Sequence, residues 1–133
     1  MTGIVIVVHA PLGEAMHEMA RHVLGDGIAD TLAVHDIQPD DQPEDQAPAV
    51  LDDIRRLGRG GGVLVLTDLV GATPANIAKR AVAQAQAEGL NCCALAGLNT
   101  PMLLRALTYR NLSLAETREK ALAGGVQGCL QVD

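Results

Sequence analysis

Short aliphatic runs, each followed by a stretch with helical periodicity, are the feature that most constrains the fold of this chain. The first run, residues 4–8, is continuously β-branched, which is typical of a strand covered on both faces. Further strands are predicted over residues 31–37, 63–66 and 90–97. Because strands alternate with helices, we expect a three-layer, doubly wound α/β fold with a mainly parallel sheet in the common order 2-1-3-4.

The predicted helices lie between and after these strands. The first carries one apolar stripe that ends before a capping Gly25; its residues are Met16, Met19, Ala20, Val23 and Leu24. The second follows a proline-broken acidic loop over residues 38–45 and ends at Gly58, and the third covers about residues 75–87. Thr100 and Pro101 open a fourth helix in cap-then-proline order.

The C-terminal part combines a capping box with a pattern of a different period. Ser113 and Glu116 have the capping-box spacing, which predicts a fifth helix. Residues 126–132 then alternate apolar and polar side chains, which is typical of a strand with one buried face at a sheet edge or against a partner. The whole chain, residues 1–133, is therefore expected to form one domain.

Composition excludes several classes of function. The chain has 16 acidic and 10 basic residues, a net charge of −6 and a single aromatic residue, Tyr109, which argues against nucleic-acid binding. No apolar run approaches the roughly 20 residues of a membrane span, and no basic segment opens a signal peptide. Cys92, Cys93 and Cys129 lack metal-ligand spacing, so we expect no metal site and a cytoplasmic, reducing location.

Two chemically active side chains stand at the ends of neighbouring predicted strands. Ligands of an open α/β sheet bind outside the carboxyl ends of the strands where strand order reverses, which here lies between strands one and three. His9 ends strand one and Asp68 ends strand three. We therefore expect an imidazole and a carboxylate to face each other across one crevice.

The loop after Asp68 has the features of an anion site. Gly71 permits a tight turn, and Thr73 and Pro74 are a good N-cap and a good first helical residue. Free N–H groups and the positive end of the third helix would then point at the crevice. Asn99 precedes another helix start beside it, where loop bonding and pocket lining are equally open roles.

The absence of nucleotide-binding motifs limits the kinds of phosphoryl donor that the site could use. No Walker loop is present, and the glycines at 60–62 precede a strand instead of following one, so no nucleotide cofactor is expected. A histidine beside an anion site indicates a phosphoryl group that arrives on another carrier, because neutral imidazole is a competent nucleophile near pH 7. A carboxylate on the other ring nitrogen would fix the tautomer and stabilise the phosphorylated ring.

Three segments together resemble a known family. Residues 4–9, 65–76 and 97–103 are similar to the mannose-type enzyme IIA of the bacterial phosphotransferase system. The resemblance implies that His9 accepts a phosphoryl group from the histidine phosphocarrier protein (HPr) and passes it to an enzyme IIB or a regulatory target. It also implies that Asp68 is the partner of that histidine and that the phosphate pocket is lined by Gly71, Ala72 and Thr73. The last strand would be antiparallel and exchanged in a homodimer.

The sequence departs from the family pattern at two places. Ala10 stands where the family commonly has glycine after the histidine, and Ala72 replaces the second glycine of a pair. Each change adds a methyl group near the expected pocket without removing a catalytic group. No enzyme IIB domain follows, so the acceptor stays open between a transporter and a regulatory branch.

Two alternative functions and several side-chain roles accompany this reading. The first alternative is a tetrapyrrole metal chelatase, which also has a histidine after its first strand, but Asn99 stands here where such an enzyme usually needs a second histidine. The second is a regulatory protein that binds its partners according to the phosphorylation of His9, and it shares the chemistry described above. The remaining histidines are expected to be surface or packing residues: His17, His22 and His35. Three apolar residues are equally expected to ring the pocket or to join the core: Leu69, Val70 and Met102.

Overall fold

Four parallel strands in the order β2-β1-β3-β4 form the sheet of the computed structural model, which describes residues 1–133. The strands are β1 (Gly3–His9), β2 (Leu32–Ile37), β3 (Val63–Thr67) and β4 (Cys92–Leu95). β1 is central, because Val7 pairs with His35 of β2 on one side and with Thr67 of β3 on the other. The predicted parallel α/β fold with strand order 2-1-3-4 is confirmed.

Helices cover both faces of the sheet. They are α1 (Leu12–Leu24), α2 (Pro43–Leu57), α3 (Thr73–Ala87), α4 (Thr100–Thr108) and α5 (Leu114–Gln127), with short 3-10 turns at Asp26–Thr31 and Gly58–Gly60. Ile4, Ile6 and Val8 pack in the core formed with α1, α4 and α5, whereas Val5 and Val7 pack in the core formed with α2 and α3. All five of these side chains are fully buried, which explains the continuous β-branched run.

Several predicted boundaries differ from the structure. α2 begins at Pro43, inside the stretch predicted to be a loop, because proline is well suited to a first helical position and Glu44 and Asp45 favour the positive end of the helix. The fourth strand covers only Cys92–Leu95 of the predicted residues 90–97. Gly25 ends α1 as predicted, with a φ of 87° and its N–H donating to the Arg21 carbonyl.

The predicted C-terminal strand is not formed within the single chain. Val126 and Gln127 are the last residues of α5, and residues 128–133 form neither helix nor strand. Helical hydrogen bonding continues through the end of α5, where the Gly128 N–H donates to the Gly124 carbonyl at 2.9 Å. The alternating side chains are not buried: Val126, Leu130 and Val132 are 70%, 67% and 93% exposed.

None of the helices combines the length and the apolar character that crossing a membrane requires.

Candidate functional site

His9 and Asp68 are in direct contact at the carboxyl edge of the sheet. His9 is the last residue of β1 and Asp68 follows β3, and these strands are paired in parallel. The Nδ1 atom of His9 lies 2.8 Å from Oδ2 of Asp68, and the backbone N–H of His9 donates to the same oxygen at 3.0 Å. The strand topology predicts this meeting, and the structure places the two groups together.

The contact determines which ring nitrogen is free to react. A carboxylate only accepts hydrogen bonds, so Nδ1 of His9 carries a proton, and in the neutral ring this tautomer has its lone pair on Nε2. Nε2 has no hydrogen-bond partner in the chain, and the His9 side chain is 47% exposed. The geometry therefore leaves Nε2, the ring nitrogen that could act as a nucleophile, unoccupied and accessible.

Asp68 is held as a carboxylate by its hydrogen bonds. Burial acts to raise the pKa of Asp68, but hydrogen bonds from the backbone and ring of His9 and from the Leu69 N–H together lower that pKa below its ordinary value. The Leu69 N–H donates to Oδ1 at 2.9 Å, so each oxygen has at least one donor. Asp68 is therefore charged at neutral pH, and it accepts a hydrogen bond from the imidazole N–H without becoming protonated.

The loop after Asp68 leads into the N-terminus of α3. Gly71 has a φ of 85°, the left-handed region that favours glycine. Ala72 is the N-cap, whereas Thr73 is the first helical residue, so the predicted capping role of Thr73 is wrong. The N–H groups of Gly71, Ala72 and Thr73 have no acceptor in the chain, and neither has the Thr73 hydroxyl. Unpaired donors at the positive end of a helix are the groups that an anion site requires.

Asn99 has both ends of its side-chain amide engaged in structural contacts. Its Oδ1 accepts from the Met102 N–H at 3.0 Å and its Nδ2 donates to the Gly125 carbonyl at 3.0 Å. Asn99 is thus the N-cap of α4, the position predicted for Thr100, and it ties α4 to α5. Of the two roles expected for Asn99, loop bonding and pocket lining, these contacts correspond to loop bonding.

The three apolar residues that were equally expected at the pocket rim or in the core separate into two groups. Leu69 and Val70, which directly follow Asp68, are 61% and 79% exposed. Met102 is 3% exposed and belongs to the core under α4. The rim of the site therefore carries two adjacent apolar side chains on the β3–α3 loop.

A second histidine–carboxylate pair lies away from the site. Nε2 of His35 is 2.8 Å from Oδ2 of Asp53, and Arg56 donates to the other oxygen of Asp53 at 2.7 Å. His35 is a packing residue between β2 and α2, as expected, with a side chain that is only 16% exposed. Its Nε2 is already engaged, unlike that of His9. His17 is half-buried and His22 exposed on α1, and no three His, Cys, Asp or Glu side chains gather to hold a metal.

Asp36 is a further residue at this edge that sequence reasoning missed. It lies near the end of β2, and its Oδ1 and Oδ2 accept from the N–H groups of Gly13 and Glu14 at 2.7 and 2.9 Å. This is a capping contact with α1 made by a residue distant in sequence. No local spacing signals such a contact, because cap motifs join residues of one segment.

Comparison with known proteins adds family and fold relations. Residues 3–122 match the family model EIIA-man, described as the PTS system fructose IIA component. The chain is similar to the phosphotransferase component EIIA of Streptococcus agalactiae, with 21% identity, a TM-score of 0.86, and 98% of this chain and 97% of the other covered.

Two further solved structures have the same fold. The mannose/sorbose-specific IIA subunit of Enterococcus faecalis has 20% identity and a TM-score of 0.84, with 99% of this chain and 95% of the other covered. The PTS IIA protein associated with the fucose utilization operon of Streptococcus pneumoniae has 18% identity and a TM-score of 0.81, with 98% and 92% covered. At these identities the structural likeness shows a shared fold.

Proposed function

This chain belongs to the EIIA-man family, the mannose- and fructose-type IIA components of the phosphotransferase system of sugar transport, and from that premise we propose that His9 carries the phosphoryl group. The observation that carries the proposal is the contact between Nδ1 of His9 and Asp68 at 2.8 Å, which leaves Nε2 unoccupied. The family assignment replaces the chelatase hypothesis.

The proposed reaction moves one phosphoryl group between two imidazoles. The Nε2 lone pair of His9 attacks the phosphorus of a phosphohistidine on the donor; the new N–P bond forms as the donor's N–P bond breaks, and the donor ring leaves with its electron pair. The ring of His9 then carries positive charge shared with the Nδ1–H. Asp68 accepts that hydrogen bond and stabilises the charge, and the same steps in reverse deliver the group to an acceptor.

The anion site at the start of α3 is proposed to bind the phosphoryl oxygens in transit. Three N–H groups, of Gly71, Ala72 and Thr73, and the Thr73 hydroxyl are free for this purpose. Charge in a loose phosphoryl-transfer state lies on the equatorial oxygens, where preorganised donors are most effective. Ala72 supplies only its backbone, so its methyl group leaves this function intact.

The proposed donor is HPr, and the proposed acceptor is an enzyme IIB or a regulatory target. The donor must bring its phosphoryl group to Nε2 of His9, and the acceptor must bring a nucleophile to the phosphorus then carried on Nε2, so both dock over the same edge of the sheet. Leu69 and Val70 are the exposed apolar residues beside Asp68 and offer contact area for such visitors.

We also propose that residues 1–133 act as one phosphotransfer domain and that two chains form a homodimer by exchanging their C-terminal tails, residues 128–133. The tail exposes Leu130 and Val132, and β4 has a hydrogen-bonded neighbour on only one side. An unpaired sheet edge together with an exposed alternating segment favours pairing between chains.

Phosphorylation by HPr is the direct test. The protein is incubated with phosphorylated HPr, and the acid-labile phosphate is located by mass spectrometry; we expect one label, on His9, and none in His9→Gln. His35→Gln is the matched control, because His35 is the other histidine paired with a carboxylate, and it is expected to be labelled normally. Equal labelling of His9→Gln would contradict the proposal.

The identity of the acceptor is tested separately. Phosphorylated and unphosphorylated protein are each used to capture partners, and the captured proteins are assayed for the phosphate. An acceptor that takes the phosphate indicates a relay. A partner that binds only one form and leaves the phosphate on His9 indicates the regulatory alternative.

A further inference from the structure

Two helices begin at the sheet edge that carries His9, and they differ in the state of their N-terminal N–H groups. α1 begins at Leu12, directly after the β1 loop, and α3 begins at Thr73. The first helical N–H is unpaired in both helices, at Leu12 and at Thr73, but the next two N–H groups of α1, at Gly13 and Glu14, donate to the two oxygens of Asp36 at 2.7 and 2.9 Å. A carboxylate of the protein thus occupies the anion-binding end of α1.

The contact between Asp36 and α1 is closely fitted. A Cβ atom on Gly13 would lie 2.7 Å from Oδ1 of Asp36 and 2.6 Å from Cγ1 of Val34, so only glycine allows the approach. Asp36 pairs in register with Val8, and the next residue, Ile37, accepts the Ala10 N–H at 3.0 Å. β2 therefore holds the chain on both sides of the loop that follows His9.

A free positive end at α1 would compete for the phosphoryl group. Two free helix N-termini at the sheet edge that carries His9 would each attract the oxygens of a phosphoryl group there. In-line transfer requires one orientation of the reacting group, and misplacement by about 1 Å reduces rates on the order of a hundredfold. A carboxylate on one of the two helix ends removes that competition by hydrogen bonding and by charge.

We propose that Asp36 is a positioning residue that closes the anion site of α1, so that the phosphoryl group on His9 engages only the start of α3. The proposal rests on the proposed function of His9. In this proposal Asp36, a β2 residue that makes no hydrogen bond to His9 or Asp68, determines which helix start binds the phosphate. The contact also requires glycine at position 13 of α1, because a side chain there would displace the Asp36 carboxylate.

Titration with inorganic phosphate, followed by amide chemical shifts in NMR, tests the proposal without any transfer reaction. In the wild type we expect phosphate to shift the amides of Gly71, Ala72 and Thr73 and to leave those of Gly13 and Glu14 unchanged. In Asp36→Ala the amides of Gly13 and Glu14 should respond as well. Asp36→Asn, which keeps one acceptor and removes the charge, gives the same comparison if the alanine variant does not fold.

Two results would overturn the proposal: a phosphate response of Gly13 and Glu14 in the wild type, or no response there in any folded Asp36 variant. In transfer from phosphorylated HPr, we expect Asp36→Asn to lower kcat on the order of tenfold with KM unchanged. A merely structural role would change thermal stability but open no second phosphate site. Failure of His9 labelling would contradict the proposed function and leave the phosphate titration valid.

Discussion

At the scale of single residues, Asp68 joins the backbone and the side chain of His9 through one oxygen. Oδ2 accepts the His9 N–H at 3.0 Å and the Nδ1–H at 2.8 Å, while Oδ1 is held by Leu69. The imidazole is therefore oriented relative to the end of its own strand. His35 has a carboxylate partner too, but that partner is on Nε2 and the ring is mostly buried.

Replacing Asp68 by asparagine tests this orientation. An amide carries no charge to stabilise the phosphorylated ring and can present an N–H to Nδ1, so we expect Asp68→Asn to slow transfer from phosphorylated HPr on the order of a hundredfold or more. Rapid-quench labelling measures the rate. Asp53→Asn alters the other histidine–carboxylate pair and is expected to transfer normally; equal rates for both variants would remove Asp68 from the mechanism.

The lowered pKa of Asp68 predicts a specific pH dependence of stability. A carboxyl group whose folded pKa lies below its ordinary value of 3.8 stabilises the fold above that value and loses the contribution as pH falls through the folded pKa. We expect urea unfolding of wild type to show this loss below about pH 4. Asp68→Asn should show a smaller loss over the same acid range, and an identical acid loss in both proteins would contradict the assignment.

The site residues differ in how far sequence predicts them. His9 and Asp68 follow from strand order alone, because parallel strands end at one edge. The roles of Asp36 and Asn99 depend on contacts with α1 and α5 across the fold, which no local spacing encodes. Thr73 is a good capping residue by type, yet the chain enters α3 one residue earlier, at Ala72.

At the scale of elements, Asn99 connects two helices that pack against one face of the sheet. It caps α4 through Met102 and binds the Gly125 carbonyl of α5. We expect Asn99→Ala to lower the free energy of unfolding by about 1 kcal/mol or more, from the lost cap and the unpaired carbonyl. Equilibrium urea unfolding measures the change.

The same variant decides between the two roles expected for Asn99. Asn99→Asp keeps the capping oxygen and removes the donor to Gly125, so its unfolding free energy should lie between those of wild type and Asn99→Ala. Both variants should accept phosphate from HPr at the wild-type rate. A loss of transfer at unchanged stability would indicate pocket lining instead.

Helix and strand ends are where the sequence-based prediction loses accuracy. The buried runs of β1 and β3 are predicted well, because short, β-branched or aliphatic runs bounded by turn residues are typical of strands covered on both faces. The α1 stripe is less reliable: Val23 and Leu24 are 55% and 38% exposed, since the last turn of the helix extends beyond the core. Alternation in residues 126–132 indicated a strand, but α5 continues to Gln127.

At the scale of the whole molecule, the oligomeric state tests whether the exposed tail pairs with the unpaired edge of β4 in a second chain. We expect the full chain to sediment as a dimer, and the double variant Leu130→Ser with Val132→Ser to sediment as a monomer, because it removes the exposed apolar side chains of the tail. Gln131→Ser changes the intervening polar residue and should leave the dimer intact. A monomeric full chain at micromolar concentration, or a dimeric double variant, would contradict tail exchange.

The central position of β1 has a consequence for how the protein meets its visitors. A strand with neighbours along both edges and no exposed side chain from residue 4 to residue 8 should, together with β3, be among the last segments to exchange amide hydrogens with heavy water. His9, the proposed phosphoryl carrier, thus stands at the end of a fully covered strand that is paired on both edges. If a donor and an acceptor both dock at this edge, the exposed side chains of Leu69 and Val70 are left to adjust to each of them.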